Sequence, residues 1–261
     1  MVTVELLCFG NELLIGKIVN TNASFLAREL TSVGVDVKRI VTLSDDLEDL
    51  KNGFREALGR SPDFLIASGG LGPTFDDKTL EGLARALDVP LEDNSEALRM
   101  VREAYSFLRK DLNPARKKMA RLPQKAIPIH NPVGTAPAIR MKPDGFLTTI
   151  FCLPGVPKEL KAIFKESILP EISKKGSGFF QASFRCSGVG ESSLAHLTEK
   201  IALRFPHVYI KSHPKVSEKE PIIDFHITAK GNDHSLAEEI EEVKQELING
   251  LKALGARIEN G

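Results

Sequence analysis

Between Ser68 and Thr79 the chain reads SGGLGPTFDDKT, directly after the apolar run FLIA at Phe64 to Ala67. A turn needs one glycine or at most two, so this composition suits a loop whose backbone approaches a ligand closely. Gly69, Gly70 and Gly72 let N–H groups turn toward an anion, and a helix starting after the loop adds unpaired N–H groups and a positive dipole end. Two carboxylates beside a phosphate would repel it unless a cation lay between them. Asp76 and Asp77 are therefore candidate ligands of a divalent ion, with Glu12 as a third, because Mg²⁺ takes one or two carboxylates and completes its shell with water and phosphate. The simpler reading is a turn in which Asp76 or Asp77 caps the next helix; it accounts for one carboxylate only. The spacing is neither GxGxxG nor that of a P-loop, so both of those phosphate-binding signatures are absent.

Other loops carry residues of similar character. GNELLIGKIVNTN, Gly10 to Asn22, supplies Asn11, Glu12, Asn20 and Asn22, with Asn20 or Asn22 also able to cap a helix. LPGVPKEL places Pro154, Gly155 and Pro157 ahead of a helix, and NPVGTAP offers Gly134 and Thr135 as backbone and hydroxyl donors. The basic stretch ARKKMAR, Ala115 to Arg121, reads as a solvated face, with Arg116 or Lys117 available as a phosphate clamp. Open parallel sheets bind ligands outside the carboxyl ends of their strands, so the loops that follow strands should meet at one rim.

The elements behind those loops alternate. VTVELLCFG, VDVKRIVTL and FLIA read as strands, and helical stripes follow each: Leu26, Leu30 and Val33; Leu47, Leu50, Phe54 and Leu58; Leu80, Leu83, Ala84 and Leu87. Strand regularly followed by helix predicts a mostly parallel sheet covered on both faces, because a parallel crossover needs a helix to return the chain. Asn94 is placed to cap a further helix. FLTTIFCL reads as another strand, followed by a helix with Leu160, Ile163, Phe164 and Ile168. SKKGSG, Ser173 to Gly178, is a polar linker. The expected organisation is a three-layer αβα domain over residues 1–172 and a smaller α+β domain over 178–261, its sheet partly antiparallel, in the order β, α, β, β, α.

Thirty-five Lys plus Arg balance 35 Asp plus Glu, so no global field draws the protein to nucleic acid or an anionic membrane. The apolar runs are too short to span a bilayer and no basic-then-apolar leader opens the chain, which predicts a cytoplasmic protein. Cys8, Cys152 and Cys186 are odd in number and widely spaced, as expected of buried free thiols. The six histidines show no zinc spacing.

GGLGPTFDD, read with GNELLIGKIVNTN, NPVGTAPAI and LPGVPKEL, closely resembles the CinA (competence-damage-inducible) family, whose N-terminal domain belongs to the molybdopterin-binding superfamily of MoaB, Mog and MoeA. The resemblance spans residues 1–172, and 178–261 is similar to the small KH-like middle domain of CinA proteins. Many of those proteins continue into a nicotinamide mononucleotide deamidase domain; with the last residue at Gly261, none is expected here. The resemblance implies a three-layer fold and ADP-ribose pyrophosphatase activity, releasing AMP and ribose 5-phosphate with a divalent cation, Mg²⁺ or Co²⁺, and in some members potassium.

Carried over by position, Gly69, Gly70, Gly72, Pro73, Thr74 and Asp77 fall on the family's loop, Asn20 and Asn22 on its NTN, Gly134 and Thr135 on its GTAP, and Gly155 lies in the LPGVPKEL motif. Asn11 stands where the family often has the acid of GDE, and Leu80 where it has arginine or tyrosine. On that reading Asp77 and Asp76, with Glu12, hold the cation beside a small nucleotide substrate, the glycine loop cradles a phosphate, and metal-bound water attacks. One alternative is molybdopterin binding. Against it, the cousins read GGTG where this chain has Leu71 with Pro73 after the last glycine, and LPGNP where it has LPGVP. Another is a non-catalytic nucleotide-binding or assembly module. The family implies a homodimer. Nucleic acid is not expected, since the turn at Gly188 to Glu191 reads GVGE rather than GxxG and no basic, aromatic stripe surrounds it.

Overall fold

A computed structural model describes residues 1–215, 220–233 and 235–259, apart from the side chain of Glu191. The chain divides into two compact units, Met1–Gly176 and Ser177–Gly261. The first contains β1 (Thr3–Phe9), α1 (Asn11–Leu14), α2 (Thr21–Ser32), β2 (Asp36–Leu43), α3 (Leu47–Gly59), β3 (Phe64–Ser68) and α4 (Thr79–Leu87). It continues through β4 (Leu91–Asp93), α5 (Ser95–Phe107), α6 (Pro114–Lys118), β5 (Arg121–Pro123), β6 (Ile127–Ile129), β7 (Ala138–Met141) and β8 (Thr149–Leu153). It closes with α7 (Pro157–Ile163), a π turn over Phe164–Ile168, and α8 (Leu169–Ser173).

Six strands form the main sheet in the order β2-β1-β3-β8-β7-β6. β2, β1, β3 and β8 run parallel; β7 is antiparallel to β8, and β6, antiparallel to β7, runs again with the parallel set. Side chains alternate across such strands, so each presents one set to each face. Leu7, Phe9, Leu65 and Ala67 pack on one face against Leu50 and Phe54 of α3, Leu83 of α4 and Val101 of α5. Val4, Leu6, Phe64 and Ile66 pack on the other against Leu26 and Leu30 of α2 and Leu160 and Ile163 of α7. These are the three layers that the strand–helix alternation predicts.

Caps fix where the helices begin. Asn20 accepts from the Ala23 N–H (3.0 Å), Asp46 from that of Glu48 (2.9 Å) and Asn94 from that of Ala97 (2.9 Å), each satisfying a donor that the first helical turn leaves open. One charge lies under the sheet. Glu5, 3% exposed, receives the guanidinium of Arg60, whose Nε donates to Oε1 (2.9 Å) and Oε2 (3.1 Å) and whose Nη2 donates to Oε2 (2.7 Å). The register aligns Cys8 with Ser68 and Ser68 with Leu153, so β1, β3 and β8 end at the same level and release their loops side by side.

β8 begins later than FLTTIFCL predicts. Phe146 and Leu147 are exposed in the turn after Pro143, and the buried strand starts only at Thr149. Among the described residues no helix is long and apolar enough to cross a membrane. All three cysteines are free and buried.

The second unit holds β9 (Gly178–Ser187), α9 (Glu191–Arg204), β10 (Val208–Lys215), β11 (Ile222–Gly231), α10 (Ser235–Ala253) and β12 (Arg257–Glu259). Its sheet, β10-β11-β9-β12, is antiparallel at every described pairing rather than partly so. β12 is a strand too short for alternation to reveal. Phe184, Phe225 and Ile227 pack beneath Leu236, Val243 and Leu247 of α10. On the opposite face, Arg185 Nε and Lys215 Nζ each lie 2.6 Å from an Asp224 carboxylate oxygen and hold that carboxyl well below the usual range.

Candidate ligand-binding cleft

The loops after β1, β3 and β8 surround a cleft of about 370 Å³ together with the segment before β7. Of the residues that the sequence singles out, Glu12, Gly69, Gly70, Gly72, Pro73, Asp76, Asp77, Thr135 and Gly155 line it. The others stand behind or beside it.

The glycine loop is pinned through one N–H and two carbonyls. Gly69 donates to Leu153 O (3.0 Å), the buried Thr79 hydroxyl donates to Gly69 O (2.8 Å), and the Thr79 N–H donates to Gly70 O (3.2 Å). Gly69 has φ +105°, and a Cβ there would run into the Phe9 carbonyl, so the position admits glycine alone. Among the described residues nothing accepts from the N–H groups of Gly70, Leu71 and Gly72. Unspent donors in a concave loop form an anion site.

Neither aspartate caps α4, whose start has no side-chain cap. Both turn back on Thr74 instead: its N–H donates to Asp77 Oδ2 (2.8 Å), and its hydroxyl oxygen faces both Asp77 Oδ2 (2.5 Å) and Asp76 Oδ1. A hydroxyl has one hydrogen for those two carboxylates. Asp76 is held below the usual carboxylate range, chiefly by Thr74 and then by its own backbone, with Lys118 and Lys78 adding their charge. Lys118 Nζ donates to Thr74 O (2.6 Å), so it is the lysine of the basic stretch that reaches the loop. Arg116, one of the two clamp residues expected there with Lys117, lies over the Tyr105 ring at 4.4 Å.

Asn11 does not enter the cleft through its side chain. Its N–H donates to Asp45 Oδ2 (2.9 Å), and Asp45 lines the cleft. Burial raises the Asp45 carboxyl above its ordinary value; the Asn11 bond opposes that, while Glu12, Asp76 and Asp77 push it further up. Asn20 is the cap of α2. Asn22 Nδ2 donates to Gly155 O (2.7 Å), tying the first loop to the loop after β8, while its Oδ1 is buried without a partner. A recess of about 120 Å³ containing both asparagines opens beside the cleft and shares Phe9, Glu12 and Gly155 with it.

Gly134 sits behind the wall. A Cβ there would overlap the carboxylate of Glu159, which lines the cleft and accepts from Asn131 Nδ2 (2.6 Å). Among the described residues no three His, Cys, Asp or Glu side chains gather as a metal site.

Every residue of the cleft falls within residues 5–174, which match the family model described as probable molybdopterin binding domain. The chain belongs to that family. A relative in Sulfurisphaera tokodaii is 40% identical over 256 residues, 97% of this chain and 95% of its own, and one in Saccharolobus solfataricus is 39% identical over 259 residues, 98% and 94%. The crystal structure of the protein CinA from Thermoplasma acidophilum, whose function is given as unknown, is 42% identical with a TM-score of 0.60. That likeness covers 65% of this chain and 98% of that one.

In this member of the probable molybdopterin binding domain family, Leu71 is buried at 5% exposure and packs in the core against residues such as Leu80 and Ala136. The same residue also lines the cleft, so it serves both the packing under the loop and the wall of the site. Asp45, Glu159, Asn131 and Lys118 were not singled out from sequence. Asp45 carried one signal, as the acid just before the capping Asp46.

Proposed function

We propose that the cleft binds a phosphorylated pterin of the molybdopterin type. The observation that carries the reading is the unspent N–H row of Gly70, Leu71 and Gly72 inside a domain matched to that family. The phosphate lies on that row, where the positive end of α4 adds favourable potential.

A second reading is favoured by the carboxylates. Thr74 has one hydrogen for Asp76 and Asp77, so a hard cation entering with a phosphate relieves the contact between the remaining oxygens. The pair fits an ion that takes most of its shell from water and phosphate, not an ion caged by protein. Such a cation would neutralise charge on a pyrophosphate. The chain's own part is to orient the phosphate on the glycine loop and, with the flanking Glu12 and Asp45, to steady water near the scissile bond. The corresponding reaction is hydrolysis of a nucleotide pyrophosphate, ADP-ribose to AMP and ribose 5-phosphate.

One experiment separates the two. The protein is titrated with molybdopterin and, in parallel, incubated with ADP-ribose, NAD, FAD and ATP plus Mg²⁺ or Co²⁺ while AMP is quantified. Saturable pterin binding without AMP release supports the first reading; AMP release from ADP-ribose replaces it with the second. Neither result would overturn both.

A further inference from the structure

A second hollow of about 420 Å³ lies next to the cleft and meets it at Thr135, which lines both. Ala104 and Phe107 of α5, with Leu108 just after it, form one wall; Pro132 and Val133 of the loop before β7 form the other. Phe107 is 89% exposed and Val133 46%, so apolar surface stands in solvent beside a polar site. Glu103 and His130 lie along the same walls and offer hydrogen-bonding groups. The loop is rigidly placed. Asn131 Nδ2 donates to Ala136 O (2.9 Å) and to Glu159, its Oδ1 accepts from the Val133 N–H (3.2 Å), and the Thr135 hydroxyl lies 3.5 Å from that of Tyr105.

The geometry points to this groove as the subsite for the flat heteroaromatic ring of the ligand whose phosphate occupies the cleft. The inference rests on the phosphate reading of the cleft. Ligand sites span roughly 300–1,000 Å³ and combine apolar walls with a few polar groups. The cleft has apolar lining in Phe9, Leu71, Pro73 and Val156, but its carboxylates, Glu12, Asp45, Asp76 and Asp77, and the glycine loop are the part that a phosphate and its cation would fill. The recess at Asn22, at about 120 Å³, is smaller than ligand sites usually are. The groove has the volume, the free face of Phe107 for stacking, and Glu103 with His130 to read ring heteroatoms. Thr135 lines both hollows, so a phosphate on the glycine loop and a ring against Phe107 can belong to one molecule that passes Thr135. A purine nucleotide and a pterin phosphate share this chemistry.

The test uses the full chain and calorimetric titration with three probes: pyrophosphate, AMP and a phosphate-bearing pterin. Ala104→Trp fills the groove without reaching the cleft. It should weaken whichever ring-bearing probe the wild type binds by about tenfold or more, the loss of one stacking contact, and leave pyrophosphate affinity unchanged. Phe107→Ala, at an exposed position that folding does not need, should give the same separation and guards against misfolding of the first variant. AMP or the pterin as the affected probe identifies the ring class. Equal affinity of wild type and both variants for the ring-bearing probes overturns the inference while leaving the cleft reading intact. A wild-type dimer that Ala104→Trp splits in sedimentation also overturns it, since a second copy then covers the groove. Failure of the wild type to bind pyrophosphate overturns the reading of the cleft itself, and the inference with it.

Discussion

Glu159 occupies the space that a side chain at residue 134 would need. Its carboxylate accepts from Asn131 Nδ2 at 2.6 Å and overlaps the Cβ built on Gly134. Gly134→Ala should destabilise the protein by about 1–3 kcal/mol, the usual cost of overpacking. In a Glu159→Ala background the same change should cost much less, because the opposing group is gone. Thermal melts of the two single variants and the double variant check this; equal costs in both backgrounds would show that the loop relaxes freely.

The pair of Asp76 and Asp77 predicts a change of sign. Asp77→Asn keeps an oxygen for the Thr74 N–H but removes a charge from the anion site. With chelator present, pyrophosphate should bind the variant as well as the wild type or better. With Mg²⁺, the variant should bind at least about tenfold more weakly, the range seen when support for a metal site is lost. A variant weaker under both conditions would mean that Asp77 acts through loop structure alone.

Asp45 has a pH signature of its own. Its folded pKa is raised, so at neutral pH its charge opposes folding, and stability is gained as pH falls through the folded pKa toward the ordinary carboxylate value of about 3.9. Asp45→Asn should therefore melt above the wild type at pH 7, with the gap closing as pH approaches 4. The Asn11 N–H keeps its acceptor in that variant, so the comparison isolates charge. A gap independent of pH between 7 and 4 would refute the assignment.

Arg60 anchors the buried Glu5. Arg60→Ala should cost about 2 kcal/mol, less than the roughly 3–5 kcal/mol of a fully orphaned buried charge, because Arg39 remains 3.7 Å from Glu5 and Arg60 itself is partly exposed. At roughly 2–4 °C per kcal/mol for a unit of this size, the melting temperature falls by several degrees. Glu5→Gln with Arg60→Ala should recover part of the loss.

Most of the first unit's architecture is legible in its apolar periodicity, because strands buried on both faces and helices with one buried stripe leave different patterns. Asn94 stood out as a cap because asparagine sat just ahead of a helical stripe. The cleft was legible where glycine or paired charge marked a loop. It was illegible where a side chain's direction depends on remote packing. Asp45 lines the cleft, held by the Asn11 N–H, while its neighbour Asp46 caps α3, and Glu159 lines it held by Asn131, on a distant stretch of chain. The two aspartates looked like alternatives for a cap, yet both serve Thr74, a choice made by local loop geometry that spacing does not encode. The short β12 and the antiparallel pairing around it gave no periodic signal in three residues.

The three sheltered sulfurs turn the chain into its own stopwatch. Cys8 and Cys152 sit in the first unit and Cys186 in the second, each at 1% exposure or less. A brief pulse of alkylating reagent, read by mass after digestion, marks only those molecules whose sheet has opened at that moment. Labelling at Cys186 and at Cys152 thus clocks the opening of each unit separately, without any introduced reporter.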